Sequence, residues 1–198
     1  MIKLQFCIGK HKSNMRINIM GASGAGVTTL GRALANATGY AYIDSDDYYW
    51  DNAGHASPFT IRRQAANRNQ MLLHDLRSHG NWILGGPVMN WGVLEHVNFD
   101  MVVFLQLPPQ LRMARLKKRE HERYGDIIFS DATRNRQFVD FMNWAAGYDD
   151  NTAPSSRTLQ NQLSWLQSLN CPVLRITGDT TVDDRLNRVL KAIQQADI

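Results

Sequence analysis

The sequence predicts an α/β domain, a three-layer sandwich in which a five-stranded parallel sheet lies between helices and carries a small helical lid. Three observations point there. Strand-like and helix-like patterns alternate along the 198 residues. The run Met101–Leu105 is apolar throughout, as expected of a strand covered on both faces. The glycine-rich segment Gly21–Thr29 falls between a strand-like stretch and a helix-like one.

The elements follow in order. Strand one covers about 15–20, where Ile17 and Ile19 share one face. After the glycines, Leu30, Ala33, Leu34 and Ala37 recur at helical spacing. Strand two is Tyr40–Ile43 and leaves through Asp44-Ser45-Asp46-Asp47. A loop with Gly54 and Pro58 leads into a helix from about Thr60 to Ser78, with Ile61, Ala65, Leu72 and Leu76 on its apolar face. Strand three, Trp82–Leu84, leaves through Gly85-Gly86. After strand four, Pro108 and Pro109 open a basic helix. The polar stretch 124–136 reads as a mobile part of a lid over about 119–137. Helices are expected at 135–146 and 156–169, strand five at 172–176, and a last helix at 181–195 with Asp183 and Asp184 in its first turn. The domain occupies 15–198. Residues 1–14 read either as an extension or as an extra edge strand over Ile2–Ile8.

Composition narrows the classes. A hydrophobic fraction of 43% suffices for a core. Two cysteines, Cys7 and Cys171, make no disulfide framework, and the histidines have no zinc-type spacing. No apolar run approaches the roughly 18 residues of a membrane span. The expected compartment is the cytoplasm, with no membrane partner and the oligomeric state open. The net charge is +4, and Arg112–Arg136 carries eight basic against four acidic side chains. That clustering suits a polyanionic ligand such as ATP. Nucleic acid suits it less, because no nucleic-acid motif accompanies the charge.

The chemistry concentrates in GASGAGVTT. It fits the phosphate-binding pattern G-x-x-x-x-G-K-[ST] at every fixed position but one: Gly21, Gly26 and Thr28 match, and Val27 stands at the lysine. Gly21, Gly24 and Gly26 permit the tight turn and close approach. Ala22, Ser23 and Ala25 fill the loop, and Thr29 continues into the helix. Backbone N–H groups and the helix N-terminus then cradle anionic oxygens. The Thr28 hydroxyl suits Mg²⁺. Val27 removes the customary charge, so another cation replaces it or turnover is slow. Arg32 reads as too far along the helix for that task.

In a parallel sheet, ligands sit at the carboxyl ends of the strands. Asp44, Asp46 and Asp47 leave strand two at that edge, and Gly85-Gly86 leaves strand three there. Asp44 and Asp46 are candidates to accept a hydroxyl proton, and Asp46 also to hold Mg²⁺. The glycine pair allows either acceptor approach or a tight exit. Arg62 and Asp47 are candidate acceptor contacts. Arg112, Arg115 and Arg119 share one helical face that Arg123 continues, and these cations suit a transferring phosphoryl group. Tyr48, Tyr49, Trp50 and Trp91 flank the same loops.

With these residues in view, the chain resembles P-loop kinases of the adenylate kinase-related and shikimate kinase-like group, over about 15–196. The resemblance rests on GASGAGVTTLGRALA, the DSDDYYW exit, Gly85-Gly86, VVFLQLPPQLRMARLKKRE and RITGD at Arg175–Asp179. It implies a P-loop NTPase fold with ATP and Mg²⁺ as cofactors. It implies Arg119 and Arg123 as lid arginines, Thr28 as a magnesium ligand and Thr177-Gly178-Asp179 as part of the adenine side. The expected activity is ATP-dependent transfer of a phosphoryl group to a nucleoside monophosphate, a nucleoside or a hydroxylated metabolite. The alternative, carried by Val27, is a nucleotide-binding regulatory or sensor protein with weak or no kinase activity.

Overall fold

The computed structural model describes residues 14–51, 59–93, 96–155 and 157–196. The expectations for residues 1–13, Gly54 and the Ser57-Pro58 turn lie outside them. The chain alternates β1 (Arg16–Gly21), α1 (Val27–Thr38), β2 (Ala41–Asp44), α2 (Ser45–Tyr49), α3 (Ala65–Arg77), β3 (Trp82–Gly85), β4 (Met101–Gln106), α4 (Pro109–Tyr124), α5 (Ile127–Ser130), α6 (Ala132–Ala146), α7 (Leu159–Gln167), β5 (Val173–Thr177) and α8 (Val182–Ala196). The strands form one sheet in the order β2-β3-β1-β4-β5. Every pair is parallel, with Ile19 opposite both Gly85 and Val103.

Alternation along the strands builds two cores. Ile17, Ile19, Val103 and Leu105 face α1 and α8, where they meet Leu30, Leu34, Val189 and Ile193. Met20, Leu84, Val102 and Phe104 face the other way, onto Leu72, Leu76, Trp82 and Leu166. Burying each such side chain contributes about 1.5–3 kcal/mol. Asn18 is the polar exception on β1: it is fully buried, and its Nδ2 donates to Leu84 O at 2.8 Å and Gly86 O at 2.9 Å. Those bonds fix where the chain leaves β3.

Three expectations change. The helix expected from Thr60 begins at Ala65, because the preceding residues run extended beside Trp50. Asp51 N donates to Ile61 O at 2.8 Å and Arg63 N to Tyr49 O at 2.9 Å. The acidic exit of β2 is helical, since Asp44 caps α2 by accepting from Asp46 N at 3.1 Å. The polar stretch 124–136 is also largely helical: it holds α5, and α6 starts at Ala132 behind the Asp131 cap. Among the described residues no helix is long and apolar enough to cross a membrane.

Candidate functional site

β1 ends at Gly21, where a Cβ would collide with the Leu105 carbonyl. The chain then turns back on itself. Ala25 N donates to Ala22 O at 3.0 Å, and Gly24 and Gly26 take φ of 85° and 95°. Only glycine adopts those angles without strain. Gly26 leads directly into α1, so the first turn of that helix opens on the loop. Beside it lies a cleft of about 500 Å³, lined by the loop, by Asp44 and Asp46, by Gly86 and by Arg119 and Arg123. The sheet edge, the loop and the end of α4 therefore converge on one cavity.

Opposite the loop, Thr28 Oγ1 donates to Asp44 Oδ2 at 3.1 Å. The same oxygen accepts from the Tyr42 hydroxyl at 2.9 Å. Burial, then the Asp44 charge, pushes the Tyr42 phenol well above its ordinary range, so it remains a donor. The Thr28 hydroxyl and Asp44 carboxylate form a hard oxygen pair beside a phosphate loop, a donor set that fits Mg²⁺. Asp46, named from sequence as a metal ligand and proton acceptor, lines the same cleft, with its Oδ1 3.8 Å from Arg157 Nη1. Burial raises the Asp46 pKa most, Arg157 opposes it, and Asp44 and Asp47 add to it.

Arg119 and Arg123, toward the end of α4, are held by one side chain. Arg119 Nη2 lies 3.0 Å from Glu120 Oε1 and Arg123 Nη1 lies 3.9 Å from it. Arg119 also sits over the Phe141 ring at 5.6 Å. All four arginines of the α4 stripe, Arg112, Arg115, Arg119 and Arg123, line the cleft, but they take different partners. Arg112 is buried and bonds Ser23 O at 3.2 Å, Ala145 O at 2.8 Å and the Asp149 carboxylate. Arg115 turns to Asp179, at 2.6 Å.

Several sequence candidates fall elsewhere. Asp47 is exposed and does not line the cleft. Arg62 is exposed, lies ahead of α3 rather than on it, and rests over Tyr49 at 5.8 Å. Gly85 makes room for Tyr42, whose hydroxyl a Cβ there would strike, while Gly86 lines the cleft at φ 98°. Of the aromatic residues flanking the loops, Trp91 is buried, with Arg68 over its ring at 4.0 Å, and none of the four lines the cleft. Val27 packs against the α1 side of the core and touches the cleft, adding no charge.

Arg32, set aside from sequence as too far along the helix to replace the lysine, lines the cleft, four residues beyond Thr28 on the same face of α1. Sequence reasoning missed Arg157, Glu120 and Arg185. Arg157 reaches the cleft over Tyr49, 5.0 Å from the ring, and its Nη2 is buried without a hydrogen-bond partner among the described residues. Nothing in the sequence around Arg157 or Arg185 signals their positions.

The loop, the strand order and the cleft define a P-loop nucleotide-binding fold of the kinase type. The family described as AAA domain matches residues 17–137, and the chain belongs to it. The uncharacterized protein YqaC of Bacillus subtilis (strain 168) is 38% identical over 174 residues, covering 88% of this chain and 94% of its own. A putative adenylate kinase of Thermococcus kodakarensis is 31% identical over 118 residues, covering 58% of this chain and 63% of its own. The structure of shikimate kinase from Acinetobacter baumannii in complex with shikimate has a TM-score of 0.51 at 17% identity, covering 94% of this chain and 96% of that one. At that identity the likeness concerns the fold.

Proposed function

We propose that this protein is an ATP-dependent small-molecule kinase acting in the cytoplasm. The observation that carries the reading is the single cleft that joins the phosphate loop, the Thr28–Asp44 pair and the lid arginines. The Gly21–Thr28 loop holds the ATP phosphates through backbone N–H groups and the α1 N-terminus. Thr28 and Asp44 would hold Mg²⁺, which would supply charge neutralisation at the phosphates. Asp46, whose carboxylate opens on the cleft, accepts the proton of the attacking hydroxyl. Arg119 and Arg123 stabilise the charge that develops on the moving phosphoryl group. Arg157 gives the acceptor end a cation with a free donor, which favours an acceptor carrying both a hydroxyl and an anionic group. A nucleoside monophosphate and an acidic hydroxylated metabolite both satisfy that description.

Calorimetric titration with MgATP, with EDTA as control, tests the first half. Magnesium-dependent heat followed by ADP release in an acceptor screen is the expected result. Absence of MgATP binding would remove the kinase reading. Val27 supports a second reading, a nucleotide-binding sensor with little turnover. Val27→Lys separates the two: a large gain in turnover means that the native site is chemically weakened, and a loss means that its cation has moved elsewhere.

A further inference from the structure

The chain has no lysine in its phosphate loop, yet two guanidinium groups reach that loop from outside the binding pattern. Arg112 on α4 donates from Nη1 to Ser23 O at 3.2 Å. Arg185 on α8 donates from Nη1 to Ala25 O at 2.7 Å and from Nε to Thr180 Oγ1 at 2.8 Å. Both side chains are nearly inaccessible, at 1% and 4% exposure. They come from different helices and grip alternate peptides of the same turn.

The consequence follows from peptide geometry. In a trans peptide the carbonyl and the next residue's N–H lie in one plane and point in opposite directions within it. No peptide in the described chain is cis. Drawing the Ser23 carbonyl toward Arg112 therefore aims the Gly24 N–H the other way. Drawing the Ala25 carbonyl toward Arg185 does the same for the Gly26 N–H. Gly24 and Gly26 both line the cleft. Space is tight behind the turn: a Cβ on Gly26 would lie 2.9 Å from Arg185 Nη1.

The two arginines differ in charge balance. Asp149 neutralises Arg112 directly. Among the described residues no carboxylate touches Arg185, because the nearby Asp179 pairs with Arg115. Among the described residues, Arg185 Nη2 is buried with no hydrogen-bond partner. A cation thus stands against the back of an anion-binding loop with no ion-pair partner among the described residues, Asp179 acting on it only from a distance.

We infer that Arg112 and Arg185 are positioning residues for polyphosphate. They lock the Gly24 and Gly26 amides toward the phosphates, and Arg185 supplies from behind the loop the positive charge that Val27 does not supply within it. The inference rests on the phosphate-loop reading above and adds to it the groups that hold the loop in its binding conformation.

The test is a titration of inorganic tripolyphosphate and of MgATP into wild type, Arg185→Met, Arg185→Lys and Thr180→Val. Each variant's Tm is recorded, together with the ¹H–¹⁵N residual dipolar coupling of Gly26. Loss of a charge-assisted bond predicts affinity for both ligands about 10–100-fold weaker in Arg185→Met. Arg185→Lys, which keeps the charge, recovers part of it. Thr180→Val leaves the arginine in place but frees its Nε, so a loss of about 3-fold is expected, less than one full hydrogen bond. The Gly26 coupling changes in Arg185→Met and amides of β3 do not. If Arg185→Met fails to fold, Arg185→Lys and Thr180→Val carry the same comparison. Unchanged affinity, or an unchanged Gly26 coupling, in folded variants overturns the inference and leaves the kinase reading standing. Wild type that binds neither ligand overturns both.

Discussion

Tyr42 illustrates how a single side chain joins stability to chemistry. Its ring fills the space that Gly31 and Gly85 leave open, and its hydroxyl donates to Asp44. A Cβ at Gly31 would press into a ring already held at its other end. Gly31→Ala is expected to lose about 1–3 kcal/mol to overpacking, against the roughly 1 kcal/mol that alanine gains in a helix. Urea unfolding would show a net loss, and a stabilised variant would contradict the packing argument. Asp44 can be tested without removing its cap, because asparagine caps a helix as well as aspartate does. Asp44→Asn should therefore keep the cap but lose about 1–3 kcal/mol where its amide nitrogen faces the Tyr42 and Thr28 hydroxyls, need more Mg²⁺ and turn over about 10²–10³-fold more slowly. A steady-state assay across Mg²⁺ concentrations reads the last two effects, and turnover equal to wild type would take Asp44 out of the mechanism. Arg157→Met should raise the acceptor KM about 10–100-fold while leaving the MgATP KM in place. Equal effects on both would move Arg157 from the acceptor end.

At the level of elements, most strands were legible because burial on both faces writes a continuous apolar run, as in Met101–Leu105. The phosphate loop was legible because glycine spacing reports backbone angles directly. What the sequence concealed were backbone pairings and long-range partners. Nothing local tells a helix from an extended segment at Phe59–Gln64, where pairing with Trp50 decides the matter. Nor does helical spacing distinguish a solvated basic stripe from Arg112, a buried cation whose partners include Ser23 O, Ala145 O and Asp149. Asp47 and Gly85 stood at the right edge of the sheet, but Asp47 does not line the cleft and Tyr42 fills the space at Gly85, while Arg62 lies in the extended segment before α3. At the lid, Glu120 offers its own test. It is buried between Arg119 and Arg123, so Glu120→Gln leaves the packing and removes the charge that holds them. Turnover should fall about 10-fold with little change in MgATP affinity, since the arginines act on developing charge. An unaltered kcat would mean that they position themselves.

Across the whole molecule, the sheet order places β1 at the centre, flanked by strands whose sequence positions lie well after its own. Its buried face is completed by Ile176 of β5 and by Val189 and Ile193 of α8. The Arg185–Ala25 bond spans 160 positions in the chain. Contacts of such separation form late, because the intervening chain must be ordered first. The feature therefore has a temporal meaning during synthesis. A nascent chain exposes its glycine turn early but has neither the last helix nor its arginine to shape it. The phosphate loop is among the first segments made, and its nucleotide affinity would be among the last properties gained. On the proposed reading, that order would keep partly made chains from capturing nucleotide before the cleft is complete.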